Sequence, residues 1–190
     1  MVYRFRIVRL ASLILVLLCL PIWAADPALQ PVSVCEVLRD LAAYDGKVVA
    51  VVGRFSSRQA GRWLGEQKCP HKFITGDQEW PSAFWITYDP ETAPKPPAVL
   101  SVNATILAQK LRIVKLETSL TPIPFGSADY DNWALVYGRV ETRKDLVIVT
   151  ANGTQRNGFG AGGSSPARLV CHGEAEVVFL NDDAMKPASR

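Results

Sequence analysis

The sequence predicts a mainly β fold with two short helices. Three observations predict it: β-branched runs bounded by glycine at 47–55 and 133–142, helical spacing of apolar residues confined to 34–43 and 104–116, and clusters rich in proline or glycine between them.

Each element has a local cause. Ser33-Val34-Cys35-Glu36 has the Ser-x-x-Glu form of a capping box, in which hydroxyl and carboxylate satisfy each other's orphan amides. Val34, Val37, Leu38, Leu41 and Tyr44 follow at helical spacing, so a short helix is predicted over 34–43, ended by Asp45-Gly46. The run 47–55 then changes period and reads as a buried strand, with 61–65 as its hairpin partner across a polar turn at 56–60. Cys69-Pro70-His71 opens an irregular stretch, and 81–88 supplies the next strand. Prolines 90, 94, 96 and 97 predict an extended connection.

Asn103 is the expected N-cap of a second helix over 104–116, with Ala104, Leu107, Leu111 and Val114 along one face. Segments 133–142 and 146–150 flank Arg143-Lys144-Asp145 and read as an antiparallel hairpin. A glycine-rich loop is expected over 152–165, then one last strand made of 167–170 and 176–180, broken at Gly173. A disordered polar tail is expected over 181–190. A helix between the third and fourth strands predicts an OB-fold-like Greek-key barrel of five to six strands over 25–180. Gly53 and Gly138, each inside a strand, fit it as points where a small barrel turns its corner.

Residues 1–24 carry a separate message. Arg4, Arg6 and Arg9 precede an apolar stretch from Leu10 to Leu20 broken only by Ser12, and Ala24-Ala25 ends it. That is the layout of a signal peptide, too short in its apolar part to be a spanning helix. Leu17 and Leu18 stand before Cys19 where a lipidation site needs small residues, which excludes lipidation. The expected product is exported, periplasmic or secreted, with no membrane span after cleavage.

The leader takes three of the 21 basic residues and none of the 18 acidic ones, so the remaining chain is formally neutral. Neutrality gives no support to binding of nucleic acid or anionic membrane, which want a lasting cationic surface. About 165 residues remain, enough for one domain with its own core.

That portion holds Cys35, Cys69 and Cys171, and an oxidising compartment predicts one disulfide. Cys35 with Cys69 is favoured, closing a loop of roughly 35 residues for about 3–4 kcal/mol. Cys69 with Cys171 is the lesser alternative. Unpaired, Cys171 reads as a small buried hydrophobe on a strand.

The chain resembles a group of small exported bacterial proteins of unknown function, associated with acidobacteria-like genomes. The resemblance lies in Val32-Ser33-Val34-Cys35-Glu36-Val37-Leu38, Gly46-Lys47-Val48-Val49, Gly53, Cys69-Pro70, Trp80-Pro81, Asn157-Gly158-Phe159-Gly160 and Pro166-Ala167-Arg168-Leu169-Val170. It implies an OB-like barrel and export, and supports Cys35 with Cys69. It implies no activity. The glycine-rich stretch after Gly160 and the cysteine at 171 depart from the group's pattern.

Candidate sites are few. Cys69, His71, Cys171 and His172 hold the donors that zinc or copper favours and include both histidines of the chain. Adjacent strand residues point to opposite faces, so Cys171 and His172 would not share an ion, and a disulfide would remove Cys69. Gly158-Phe159-Gly160-Ala161-Gly162-Gly163 matches Gly-x-Gly-x-x-Gly but leads into Ser164-Ser165-Pro166 and a strand, so no helix N-terminus follows to meet a phosphate. No serine nucleophile, base and acid can be assembled, and no pair of carboxylates stands out.

The aromatics Trp63, Trp80, Trp85, Trp133 and Tyr130 could stack on a ligand as OB-fold aromatics do, with Phe159 as a loop contact; core packing is the alternative. The expectation is a non-catalytic exported binding or envelope-associated domain without cofactor. Its partner would be a glycan, a peptide or an envelope protein. A metal-binding protein or enzyme using the Cys and His positions is the rival.

Overall fold

The computed structural model describes residues 28–65, 69–97, 100–118, 132–151 and 153–180. The expected leader, the expected tail and Tyr130 lie outside the described residues.

The chain begins with a short strand, β1 (Pro31–Ser33), that leads directly into helix α1 (Val34–Arg39). The capping box forms: Glu36 N–H donates to Ser33 Oγ at 3.2 Å and Ser33 N–H to Glu36 Oε2 at 2.7 Å. The helix predicted over 34–43 is two helices. Asp40 ends α1 and caps α2 (Leu41–Tyr44), its Oδ1 accepting from Ala43 N–H at 3.3 Å. An aspartate that can bond the backbone ahead of it competes with helix continuation, and here it restarts the helix at a new angle.

Strand β2 (Val48–Arg58) runs further than expected, so the turn to β3 (Gly61–Gly65) is only Gln59 and Ala60. The stretch expected to be irregular contains a small hairpin, β4 (Phe73–Thr75) with β5 (Gln78–Trp80), before β6 (Ala83–Tyr88). Helix α3 (Ala104–Thr118) follows. Asn103 caps it as predicted, accepting from Ile106 N–H at 3.1 Å; Leu107 and Leu111 pack inward, whereas Ala104 is exposed. Thus three α-helices, rather than two, stand among the described residues.

Strands β7 (Trp133–Thr142), β10 (Ala167–Cys171) and β11 (Val177–Phe179) complete the sheet. Five strands close on themselves in the order β2-β3-β6-β10-β7-β2. Neighbours around this ring are antiparallel except β6 and β10, which run parallel. This is a closed five-stranded β-barrel of the OB-like kind. The last strand is broken as expected: β10 and β11 lie end to end along one edge of β7, while β2 takes the other.

With both edges of β7 filled, the segment after it has nowhere to pair on that strand. The hairpin predicted between 133–142 and 146–150 is therefore not formed. Instead β8 (Val147–Thr150), within the strand expected over 146–150, pairs with β9 (Gly153–Arg156), which lies in the glycine-rich loop expected over 152–165.

Two clusters hold the domain. Inside the barrel, Val51, Leu64, Phe84, Ile86, Val136 and Leu169 pack with Val34, Val37, Leu38 and Leu41 from α1 and α2. Outside it, Ala50, Val52, Trp133 and Leu135 of β2 and β7 are covered by Leu107 and Leu111 of α3. Burying such side chains contributes about 1.5–3 kcal/mol each before chain entropy is charged. Gly138 sits where a Cβ would stand 2.9 Å from the Val170 carbonyl oxygen and 3.1 Å from Cys171 Sγ, so β7 and β10 approach closely only because no side chain intervenes.

Candidate functional site

The register of the barrel places one outward residue from each of its five strands in a single row. Ser56 of β2, which is fully buried, stands opposite Trp63 of β3, Trp63 opposite Trp85 of β6, Trp85 beside Arg168 of β10, and Arg168 opposite Glu141 of β7. The side chains pointing the other way, such as Leu64, Phe84 and Leu169, fill the core, so period-two alternation alone sends this row outward.

At its centre the half-buried Trp63 and Trp85 meet edge to face, with ring centroids 5.1 Å apart and planes at 89°. Trp85 is clamped by backbone: a Cβ at Gly61 would stand 2.0 Å from its ring and one at Gly160 2.2 Å. Gly61 follows the β2–β3 turn and Gly160 belongs to the long β7–β10 connection, so these two loops border the indole pair.

The long connection is tied to the barrel. Phe159 and Ser165 exchange backbone hydrogen bonds at 2.7 and 3.0 Å, and the buried Ser165 hydroxyl reaches the Ala83 carbonyl at 2.7 Å. Arg143 donates to Asn157 Oδ1 at 2.6 Å, and Asn157 donates to the Asp145 carbonyl at 2.7 Å, closing the base of the β8–β9 hairpin. Phe159 is buried beneath Arg143 and Arg168, whose guanidiniums lie 4.8 and 5.2 Å from its ring centroid.

Trp80 is also buried, under the Arg156 guanidinium, and its indole N–H donates to Thr75 Oγ1 at 2.6 Å. Of the aromatics considered for ligand contact, the structure thus brings Trp63 and Trp85 together on the barrel's outer face. It uses Trp80 and Phe159 to hold the connection beside them. Trp133 is in the outer core under α3.

Next to the indoles lies a charged group that sequence reading missed. Arg168 donates to Glu141 Oε2 through Nε at 2.8 Å and Nη2 at 2.7 Å, and Arg139 donates to Oε1 through Nε at 3.1 Å and Nη2 at 2.8 Å. Burial pushes the Glu141 carboxyl up, but these hydrogen bonds and the two charges outweigh it and hold it below the ordinary range. Alternation could have placed Arg139 and Glu141 on one face, but only register joins Arg168 to them.

A concavity opens on the barrel surface. About 220 Å³ is lined by Phe55, Ser57, Arg62, Tyr88, Glu174, Val177 and Phe179. Arg62 lies 4.9 Å over the Tyr88 ring and donates to Glu174 at 3.0 Å, while Phe55 and Phe179 meet edge to face at 5.5 Å.

The metal candidates are not brought together. Cys69 is bonded to Cys35, with Cα atoms 5.3 Å apart, as favoured from sequence. His71 is exposed beyond that bridge. Cys171 is buried in the barrel interior, where burial first, and the Glu176 charge second, push its thiol up to about 12. At neutral pH it stays a protonated thiol, unsuited as ligand or nucleophile. Among the described residues no group of three or more His, Cys, Asp or Glu side chains could hold a metal ion. No described helix is long and apolar enough to cross a membrane.

Comparison with protein-family models, with curated proteins and with solved structures finds no match to this chain. The fold and the surface chemistry therefore carry the functional reading alone.

Proposed function

We propose that this chain is an exported, non-catalytic binding domain whose ligand is held on the outer face of β3 and β6. The observation that carries the reading is the Trp63–Trp85 pair, set edge to face between the β2–β3 turn and the β7–β10 connection. Trp85, held by two backbone segments, fixes Trp63 against it edge to face, so the pair loses little rotamer freedom on binding. Strands two and three of an OB barrel, with the loops beside them, are where such folds take oligomeric ligands. Export is supported by the signal-peptide layout of residues 1–24 and by a disulfide, which persists in oxidising compartments.

Two experiments test this. Titration with a panel of soluble glycans and peptides, followed by tryptophan fluorescence, should find a ligand whose binding is lost in Trp63→Ala. Binding indifferent to Trp63 would remove the site. Fractionation of bacteria expressing the full chain should recover it outside the cytoplasm without its leader; retention in the cytoplasm would remove export.

A further inference from the structure

We infer that the ligand of the Trp63–Trp85 face is an acidic polysaccharide, bound by ring stacking on the indoles and by guanidinium contacts to carboxylate or sulfate groups. The inference rests on the binding reading above and names its ligand class. Although the chain without its leader is formally neutral, residues 139–171 carry five cations (Arg139, Arg143, Lys144, Arg156 and Arg168) against two anions, Glu141 and Asp145. The excess is spatially placed. Arg168 is the neighbour of Trp85 in the row, and its one carboxylate partner, Glu141, is shared with Arg139. Glu141 thus covers the Arg168 charge only in part, while Arg139 also faces Asp89 and donates to the Thr92 carbonyl. Arg143, exposed and hydrogen-bonded to a neutral asparagine, adds a positive charge beside Phe159. Guanidinium forks match planar carboxylates and sulfates with two parallel hydrogen bonds.

The backbone leaves no place at this face for a peptide added as a strand. An acidic peptide that adds as a strand needs an open sheet edge, but β3 is paired on both sides by β2 and β6, and β6 by β3 and β10. Single-stranded nucleic acid is held by successive bases on successive rings. Here the two indoles stand edge to face at 89°, so they cannot take successive bases in parallel, and Gly61 and Gly160 lie against Trp85. An edge-to-face pair with cations to one side fits one sugar ring whose neighbours carry charge.

The test uses the intact protein, with polygalacturonate and heparin as acidic probes, dextran as the neutral one, and polyglutamate and oligothymidylate as competitors of other class. Polygalacturonate or heparin should bind with Trp63 fluorescence changing. Arg143→Gln, which also removes the hydrogen bond to Asn157 and is therefore compared at an unchanged urea midpoint, should weaken binding about fivefold to tenfold, and added salt should weaken it further. Trp63→Ala should abolish it, and Trp63→Phe should restore part of it. Dextran bound as tightly, with no effect of Arg143→Gln or salt, would overturn the acidic class while leaving the aromatic face standing. Tighter binding of polyglutamate or oligothymidylate through the same residues would overturn the polysaccharide. Failure of both acidic probes to bind would overturn the inference, and binding of any probe independent of Trp63 would overturn the face itself.

Discussion

Gly160 lies so close to the indole of Trp85 that a Cβ on it would stand 2.2 Å from the ring, and its φ of +78° already disfavours any side chain. The long β7–β10 connection is thereby seated on the barrel at one point. Gly160→Ala should destabilise the domain by about 2–4 kcal/mol, from left-handed strain together with overpacking. Gly162 is a control two residues away, with φ of +64° but nothing within 4 Å of its would-be Cβ. Gly162→Ala should cost only about 1–2 kcal/mol. Urea unfolding of both variants checks the pair, and equal losses would contradict the seating.

The covalent link gives a count. Oxidised protein spanning residues 25–190, unfolded without reductant, should titrate one thiol, Cys171, because Cys35 and Cys69 are joined. Three thiols would refute the bridge. Replacing both bridge cysteines by serine should lower stability by about 3–4 kcal/mol in the chain-entropy account, read from the denaturation midpoint.

Cys171 should be silent in the folded state. It is fully buried and its thiol is pushed up to about 12, so a thiol reagent at pH 8 should react only at the rate of unfolding. Prompt labelling under native conditions would contradict the barrel interior described above.

Glu141 predicts an acid limb. Burial raises its carboxyl, yet Arg139 and Arg168 hold it below the ordinary value, so the folded state favours the ionised form. Its contribution is therefore complete above the unfolded value near pH ~4.3 and is lost as pH falls through the lower folded value. Glu141→Gln should flatten this part of the stability profile and cost on the order of 1–2 kcal/mol at pH 7, since charge-assisted hydrogen bonds are removed at a partly exposed site. An unchanged profile below pH 4.5 would contradict the shared-carboxylate geometry.

Much of the barrel could be read from local pattern. Ser33 with Glu36 announced a helix start, Asn103 announced another, and the runs around Gly53 and Gly138 announced strands, because each signal acts within a few residues. What failed was decided at a distance. Arg143-Lys144-Asp145 looks like a hairpin turn until β10 and β11 claim the edge of β7, and no nearby residue reports that claim. Likewise, alternation sends Trp63 and Trp85 outward, but their meeting depends on β3 and β6 sharing a register across the β4–β5 hairpin. Trp80 and Phe159 resemble the half-buried Trp63 and Trp85 in sequence, and only the packing of the connection shows that both lie beneath guanidiniums.

The parallel seam between β6 and β10 sets a clock for assembly. It joins Phe84 to Ala167, so the ring cannot close until nearly the whole chain has been made. Pairings between such distant residues form slowly, since loop entropy is lost before contacts reward it. A barrel of this design therefore closes late and as one unit, once β10 has been made.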